Sequence, residues 1–265
     1  MNGAGAGSGT GSAGLVSVEI RDEIAIVTLD RPKANAFNPE LVADLSSALA
    51  DLTKAKAKAR AVVLASSTPG IFSAGWDLPL LIDKKRAEME AFVSSYSDLV
   101  RRLFVFGPPV VAALSGHAIA GGLIFAMAAD ERIAAQGRGK FGLSEVILGV
   151  SVPQCLMEPF RHVVGARHME RLASTGENVD ADGALAMGLL DAVVPAEELL
   201  DRALARARVL GGLSGAAYAA VKLRSRSAAI ARFDQARDHD PFLDFWFSED
   251  AQFRIKDMVA RLKSR

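Results

Sequence analysis

The sequence feature that most constrains the fold is an uncharged stretch in the middle of the chain. Residues 103–129 contain no Asp, Glu, Lys or Arg, which is long enough to suggest a membrane span. Glycine and proline interrupt it at Gly107-Pro108-Pro109 and again at Gly121-Gly122. A buried strand over residues 110–114, followed by a buried helix from residue 123, therefore explains the stretch better. We expect no membrane partner.

The surrounding sequence alternates between strand and helix patterns. Apolar runs at residues 16–20, 24–29, 61–65, 110–114 and 132–135 predict strands, of which the first two form a hairpin. Helical spacing predicts helices from Asn38-Pro39 to about residue 52 and over residues 86–106. This order is typical of an α/β fold with a largely buried sheet. From residue 196 onward only helices are predicted, at residues 197–210, 216–233 and 250–262.

Composition excludes several classes of function. Lys+Arg and Asp+Glu number 31 each, so the net charge of zero argues against a nucleic-acid partner. The single cysteine, Cys155, and four histidines without paired ligand spacing predict no disulfide and no metal site. Residues 1–14 are rich in Gly, Ala and Ser, and we interpret them as a flexible leader despite a GxGxxG match at residues 9–14. Because that leader lacks a signal or transit pattern, a cytoplasmic protein is expected.

Three segments contain groups that could bind a ligand or take part in catalysis. Two are loops of small residues at residues 70–78 and 117–122, where backbone N–H groups are open to a ligand. If both lie at neighbouring strand ends, two N–H groups can bind one oxygen atom. The third is Glu145, the only acidic or basic residue in residues 141–157, and apolar surroundings raise the pKa of a carboxyl group. Taken singly, each segment also fits a structural role, as a connection, as close glycine packing or as a helix start.

In chain order, these segments resemble the motifs of the crotonase superfamily, the enoyl-CoA hydratase/isomerase family. The motifs read FSAGWDL at residues 72–78, AGG at residues 120–122 and FGLSE at residues 141–145, with weaker support from RPKANAF at residues 31–37. The resemblance covers residues 15–265. It implies a spiral of repeated ββα units over residues 15–195 and a helical oligomerisation region at residues 196–265. That region would support a homotrimer or a dimer of trimers.

The resemblance also implies an acyl-CoA thioester as the substrate and assigns its site. The thioester oxygen would accept hydrogen bonds from the backbone N–H groups of Trp76 and Gly121, and Glu145 would move the proton. Coenzyme A would be part of the substrate, so no separate cofactor is expected. The residues expected to contact the acyl-CoA are Lys33, Ala34, Ala36, Ala74, Gly75, Asp77, Leu78, Gly122 and Ile124.

Position 124 bears on the choice of reaction. Hydratases of this family use two glutamates, which would stand at positions 124 and 145, whereas this chain has Ile124 and Glu145. A double-bond shift needs one carboxylate, and the chain is similar to the mitochondrial-type enoyl-CoA delta isomerases in the segments TPGIFSAGWDL, AGG and SEDAQFRIKDMVARLK. The sequence therefore favours isomerisation of a 3-enoyl-CoA to a 2-enoyl-CoA.

Two alternatives stay open. One is an enoyl-CoA hydratase or a hydratase-lyase that acts on an aromatic, phenylpropenoyl-CoA thioester. Trp76 and Phe125 would line the pocket for either kind of acyl group. The other is a CoA-binding trimer without catalysis.

Overall fold

A computed structural model describes residues 14–54 and 58–264. Residues 1–13 of the predicted leader, and all but the last glycine of its GxGxxG match, lie outside this range. The strands are β1 (Val16–Arg21), β2 (Ile24–Leu29), β3 (Ala61–Ser66), β4 (Gly70–Ser73), β5 (Val110–Leu114), β6 (Gly116–Ile119), β7 (Glu131–Ala135), β8 (Phe141–Gly142), β9 (Asn178–Val179) and β10 (Ala192–Val194). The helices are α1 (Pro39–Leu52), α2 (Leu78–Leu81), α3 (Arg86–Phe104), α4 (Gly121–Met127), α5 (Met157–Thr175), α6 (Ala181–Ala186), α7 (Leu199–Gly211), α8 (Gly215–Gln235), α9 (Asp240–Trp246) and α10 (Glu249–Lys263).

The strands form two sheets, and the chain alternates between them. The larger sheet has the order β1-β2-β3-β5-β7-β10, and the smaller has the order β4-β6-β8-β9. Neighbouring strands are parallel except in the β1–β2 hairpin and the β8–β9 pair. The chain repeatedly places one strand in the larger sheet, the next in the smaller sheet and then a helix, as in β5–β6–α4. This is the ββα spiral that the resemblance implied.

Local sequence explains the first elements. Asp22 and Glu23 adopt positive φ angles of 49° and 62°, as a tight hairpin turn between β1 and β2 requires. Helix α1 begins as predicted, because Asn38 caps it by accepting a hydrogen bond from the Leu41 N–H at 2.9 Å and Pro39 occupies the first helical position. The predicted hairpin at residues 16–29 and the predicted helix from residue 39 to about residue 52 are confirmed.

The uncharged middle stretch is buried from both sides. Strand β5 and helix α4 are buried at every residue. One face of the larger sheet meets the main core, and the other meets α7 through apolar residues that include Val63, Val111 and Ala203. No helix in the described ranges is both long enough and apolar enough to cross a membrane. The absence of charge therefore follows from burial within the protein.

The C-terminal helices pack on the core of the same chain. The apolar residues of α10 are only partly buried: Ile255 and Val259 are enclosed, whereas Leu262 is 49% exposed. Helix α9, which the sequence analysis did not predict, follows α8 and contributes Phe242 and Trp246 to the core. Helix α4 begins at Gly121, two residues before the predicted start.

Candidate active site

The three candidate segments meet at one edge of the smaller sheet. Strand β6 pairs in parallel with β4 on one side and with β8 on the other, so the carboxyl ends of all three strands lie side by side. Each of the three strands leads directly into one segment: residues 74–77, residues 120–121 and residues 143–145. The predicted convergence is confirmed. The two loops follow β4 and β6, which are short strands that the sequence did not predict.

Glycine at positions 75 and 121 allows the first two segments to touch. A Cβ atom on Gly75, which has a φ of 93°, would lie 3.0 Å from the Ile119 carbonyl oxygen and 3.4 Å from the Gly121 nitrogen. A Cβ atom on Gly121 would lie 2.6 Å from Cδ1 of the Trp76 indole. Within the described residues, the backbone N–H groups of Trp76 and Gly121 donate no hydrogen bond. Both amides are therefore available to a ligand.

The turn before α4 is held in an unusual conformation. Ala120 has a φ of 49°, which is strained for a residue with a Cβ atom, and its N–H donates to the Gly142 carbonyl at 2.8 Å. The hydroxyl of the buried Tyr96 donates a hydrogen bond to the carbonyl oxygen of Gly121. These contacts fix the peptide groups on either side of the Gly121 amide.

Glu145 stands at the start of a 3-10 turn, Glu145–Leu148, that follows β8. The residue is half-buried, but its Oε2 atom is enclosed and has no hydrogen-bond partner among the described residues. Burial raises the pKa of Glu145 from 4.5 to about 7, the direction that the sequence predicted. Near neutral pH this carboxyl group can both accept and return a proton.

These groups line one partly open cavity of about 70 Å³. Its walls are apolar apart from Glu145, Ser144, the Trp76 N–H groups and the exposed backbone. The lining residues are Ala74, Trp76, Leu78, Ala120, Gly121, Ile124, Ser144, Glu145, Leu148, Val150, Pro153, Phe242 and Trp246. Across residues 14–54 and 58–264, no three His, Cys, Asp or Glu side chains are grouped as they are around a metal ion.

Comparison with known proteins agrees with this geometry. The family model for enoyl-CoA hydratase/isomerase matches residues 19–243. The chain belongs to this family. Enoyl-CoA delta isomerase 1 from human mitochondria is 30% identical over 252 residues, which are 94% of this chain and 83% of the relative. A short-chain-enoyl-CoA hydratase of Clostridium acetobutylicum is 32% identical over 189 residues, which are 71% of this chain and 72% of that protein.

Solved structures show the same fold. The crystal structure of human mitochondrial delta3-delta2-enoyl-CoA isomerase superposes with a TM-score of 0.88 at 30% identity, covering 94% of this chain and 98% of the human one. The chain therefore has the crotonase fold and is a member of an enzyme family that contains both isomerases and hydratases.

Within this crotonase fold, the loop at residues 31–37 lies against the first candidate segment. The Ala74 N–H donates to the Ala34 carbonyl at 3.0 Å, and the Phe37 N–H donates to the Gly75 carbonyl at 2.7 Å. Arg31 donates to the carbonyl oxygen of Ala36 at 3.0 Å. Lys33 is exposed at the protein surface. Contacts of these residues with coenzyme A stay a prediction.

Two residues assigned to substrate contact have structural roles. The Asp77 carboxylate caps α2 by accepting from the Leu80 N–H at 3.1 Å, and it forms an ion pair with Arg31. Gly122 packs against β4, because a Cβ atom there would lie 2.5 Å from the Ser73 carbonyl oxygen. Neither of them lines the cavity.

The aromatic part of the pocket differs from the prediction. Phe125 does not line the cavity, since its side chain is fully buried and contacts Phe37 at a ring distance of 5.3 Å. Phe242 and Trp246 take that place from α9. Their spacing of four residues in the segment DPFLDFW, on one face of a helix, is a signal that could have found them.

Proposed function

We propose that this enzyme isomerises a 3-enoyl-CoA thioester to the 2-enoyl-CoA thioester, with Glu145 as the proton shuttle. The single observation that carries the proposal is the enclosed, unpartnered carboxyl oxygen of Glu145 beside the Trp76 and Gly121 amides. One carboxylate and two hydrogen-bond donors are what a double-bond shift requires. The comparison with mitochondrial isomerases supports the same assignment.

The reaction proceeds by two proton transfers. The Glu145 carboxylate removes a proton from C2, and the electron pair of that C–H bond moves into a dienolate that extends to the thioester oxygen. The protonated Glu145 then delivers the proton to C4, while the double bond settles between C2 and C3. The carboxylate is restored and no other reactant is needed. A pKa near 7 allows Glu145 to act in both directions.

The backbone N–H groups of Trp76 and Gly121 would stabilise the dienolate oxygen. A donor that is already in place costs no reorganisation when negative charge develops on the oxygen. Loss of one such donor typically raises the barrier by roughly 3–4 kcal/mol. Because neither amide has a partner in the part of the chain that the structure describes, the substrate oxygen would replace no hydrogen bond seen there.

Ile124 favours isomerisation over hydration. It lines the cavity together with Glu145 and is 2% exposed, at the position where a hydratase of the family would carry its second glutamate. An isoleucine can neither orient nor deprotonate water, and it excludes water that would otherwise intercept the dienolate. The cavity also bears on an aromatic substrate, since cavities that bind benzene measure about 150 Å³. At about 70 Å³ this one is less than half that size, which favours a short aliphatic acyl group over an aromatic one.

Product analysis tests the proposal. Given trans-3-hexenoyl-CoA, the enzyme should form 2-hexenoyl-CoA. Glu145→Gln should lower turnover by about 10²- to 10⁴-fold, while the affinity for a saturated acyl-CoA stays nearly unchanged. Glu198→Gln, at an exposed glutamate outside the cavity, is the matched control and should behave as wild type. Rapid hydration of crotonyl-CoA in place of isomerisation would contradict the proposal. Binding of CoA thioesters without any product would favour a non-catalytic CoA-binding protein.

The resemblance to the family also predicts where coenzyme A lies and how the chains assemble. Coenzyme A would lie along the loops at residues 33–36 and 74–78, which hydrogen-bond to each other. The assembly would be a homotrimer or a dimer of trimers, which sedimentation analysis would distinguish. A cytoplasmic location stays a prediction, and imaging of the tagged full-length chain would test it.

A further inference from the structure

We infer that the side chain of Trp76 limits the length of the acyl group, so that the enzyme takes short, straight-chain enoyl thioesters of about four to six carbons. This inference rests on the proposed isomerase function and names the substrate class of the same site. The backbone of Trp76 serves the reaction, whereas its indole ring would set the specificity.

The ring stands between the cavity and a larger aromatic cluster. Trp76 lines the cavity, while Phe92 and Tyr96 lie behind it and do not. The indole packs edge to face against Phe92, Tyr96 and Phe242, at ring distances of 5.1, 5.4 and 5.6 Å. The Trp76 ring therefore lies between the cavity and the rings of Phe92 and Tyr96.

The ring also has little freedom to move aside. One edge lies so close to Gly121 that a Cβ atom there would come within 2.6 Å of Cδ1 and 2.7 Å of Nε1. The T-shaped contacts with the three aromatic neighbours hold the remaining edges. A long acyl chain would have to displace a ring that is held from several directions.

Buried side chains form several of the other walls. Ile124 and Val150 are buried, and Trp246 of α9 is almost fully enclosed. The cavity of about 70 Å³ is less than half the roughly 150 Å³ in which benzene binds. An aliphatic segment of a few carbons beyond the thioester fills it.

Chain-length profiles test the inference. The value of kcat/KM would be measured for 3-hexenoyl-, 3-octenoyl- and 3-decenoyl-CoA with wild type, Trp76→Leu, Trp76→Phe and the control Phe253→Leu, whose ring is 74% exposed on α10. A hydrophobic pocket distinguishes one extra methylene by about 10- to 200-fold. We therefore expect wild type and the control to prefer the six-carbon substrate over the ten-carbon one by more than about tenfold. Trp76→Leu should lower that ratio by about tenfold, and Trp76→Phe should lower it less.

The possible outcomes distinguish a failure of the length limit from a failure of the proposed isomerase function. If wild type converts the six- and ten-carbon substrates equally well, the length limit is wrong while the isomerase function holds. The same conclusion follows if Trp76→Leu folds and keeps the wild-type ratio. If wild type isomerises none of the substrates, the proposed function itself is wrong. The wild-type profile decides the matter even if both Trp76 variants fail to fold.

Discussion

Polar groups in two buried regions of the molecule differ in whether they have hydrogen-bond or ion-pair partners. Where α8 meets the core, Asp130 pairs with Lys222 at 2.6 Å and with Arg226 at 2.9 Å, and it accepts a hydrogen bond from the Val110 N–H at 2.7 Å. Lys222 also donates to the Phe106 carbonyl oxygen at 2.7 Å. In the cavity, by contrast, Oε2 of Glu145 has no partner within the described residues.

This difference distinguishes a region that stabilises the fold from a region that carries out a reaction. Charges taken out of water stabilise a fold only when their partners are in place, as they are around Asp130. A group that must bind a transition state has its partner supplied by the substrate, and until then it remains unsatisfied. The region around Asp130 should therefore determine stability, and the region around Glu145 should determine turnover.

The largest effect is expected from Glu145→Gln. We expect kcat for 3-hexenoyl-CoA to fall by about 10²- to 10⁴-fold, because the proton shuttle is lost. The melting temperature should stay the same or rise, since no ion pair or hydrogen bond with a side chain is removed. Steady-state kinetics and thermal unfolding of the same preparation measure both. A variant that loses stability and keeps its turnover would reverse the two roles.

Lys222→Met tests the other region. It removes one of the two cations that hold Asp130, and breaking such a buried pair typically costs about 3–5 kcal/mol of the free energy of unfolding. Turnover per folded molecule should be unchanged. Urea denaturation measures the loss, and Lys256→Met on the exposed face of α10 is the matched control. Equal free energies of unfolding for the two variants would show that the ion pair between Lys222 and Asp130 does not stabilise the fold.

The pH dependence sharpens the contrast. The base form of Glu145 is the carboxylate, so kcat/KM should rise with pH and level off above its pKa of about 7. At pH 6 the rate should be about tenfold below the plateau, because only about a tenth of the carboxyl groups are ionised. A rate profile that is flat between pH 5.5 and 8 would contradict this assignment of the base.

Stability should follow the opposite trend. The folded protein keeps the Glu145 proton up to about pH 7, whereas the unfolded chain releases it near pH 4.5. The stabilisation from this group is therefore fully present below pH 4.5 and is lost as the pH rises through about 7. Denaturation of wild type and Glu145→Gln across this range would isolate the contribution.

The smallest expected effect comes from Tyr96→Phe. This variant removes the hydrogen bond to the Gly121 carbonyl that positions the neighbouring amide. A hydrogen bond of this kind contributes about 0.5–1.5 kcal/mol, so kcat should fall by about 3- to 10-fold. If Tyr96 acts through that amide, KM should change less than kcat. A rise in KM alone would instead place its effect on substrate binding.

Much of this arrangement could be predicted from the sequence, because its signals are local. Three predictions that depend only on neighbouring residues are confirmed. They are the Asn38 cap of α1, the buried strand β5 and the raised pKa of Glu145. The short strands β4 and β6 escaped prediction because a strand of four residues is too short to show a clear periodicity.

The rest of the site depends on contacts between distant parts of the chain. Tyr96 reaches Gly121 across 25 residues, and Phe242 reaches Trp76 from a helix far along the chain. The opposite error at Phe125 has the same origin, since proximity in sequence to Gly121 does not determine which way a helical side chain faces. Such contacts follow from the packing of α3, α4 and α9, which no local pattern specifies.

Transfer of an isotopic label tests most directly whether one carboxylate performs both proton transfers. Wild type would be given 3-hexenoyl-CoA carrying deuterium at C2, and the position of the label in 2-hexenoyl-CoA would be determined by mass spectrometry and NMR. Because Oε2 of Glu145 is enclosed, we expect part of the deuterium to appear at C4 in wild type and none in Glu145→Gln. Full turnover with all of the C4 hydrogen drawn from solvent would contradict a single shuttling carboxylate.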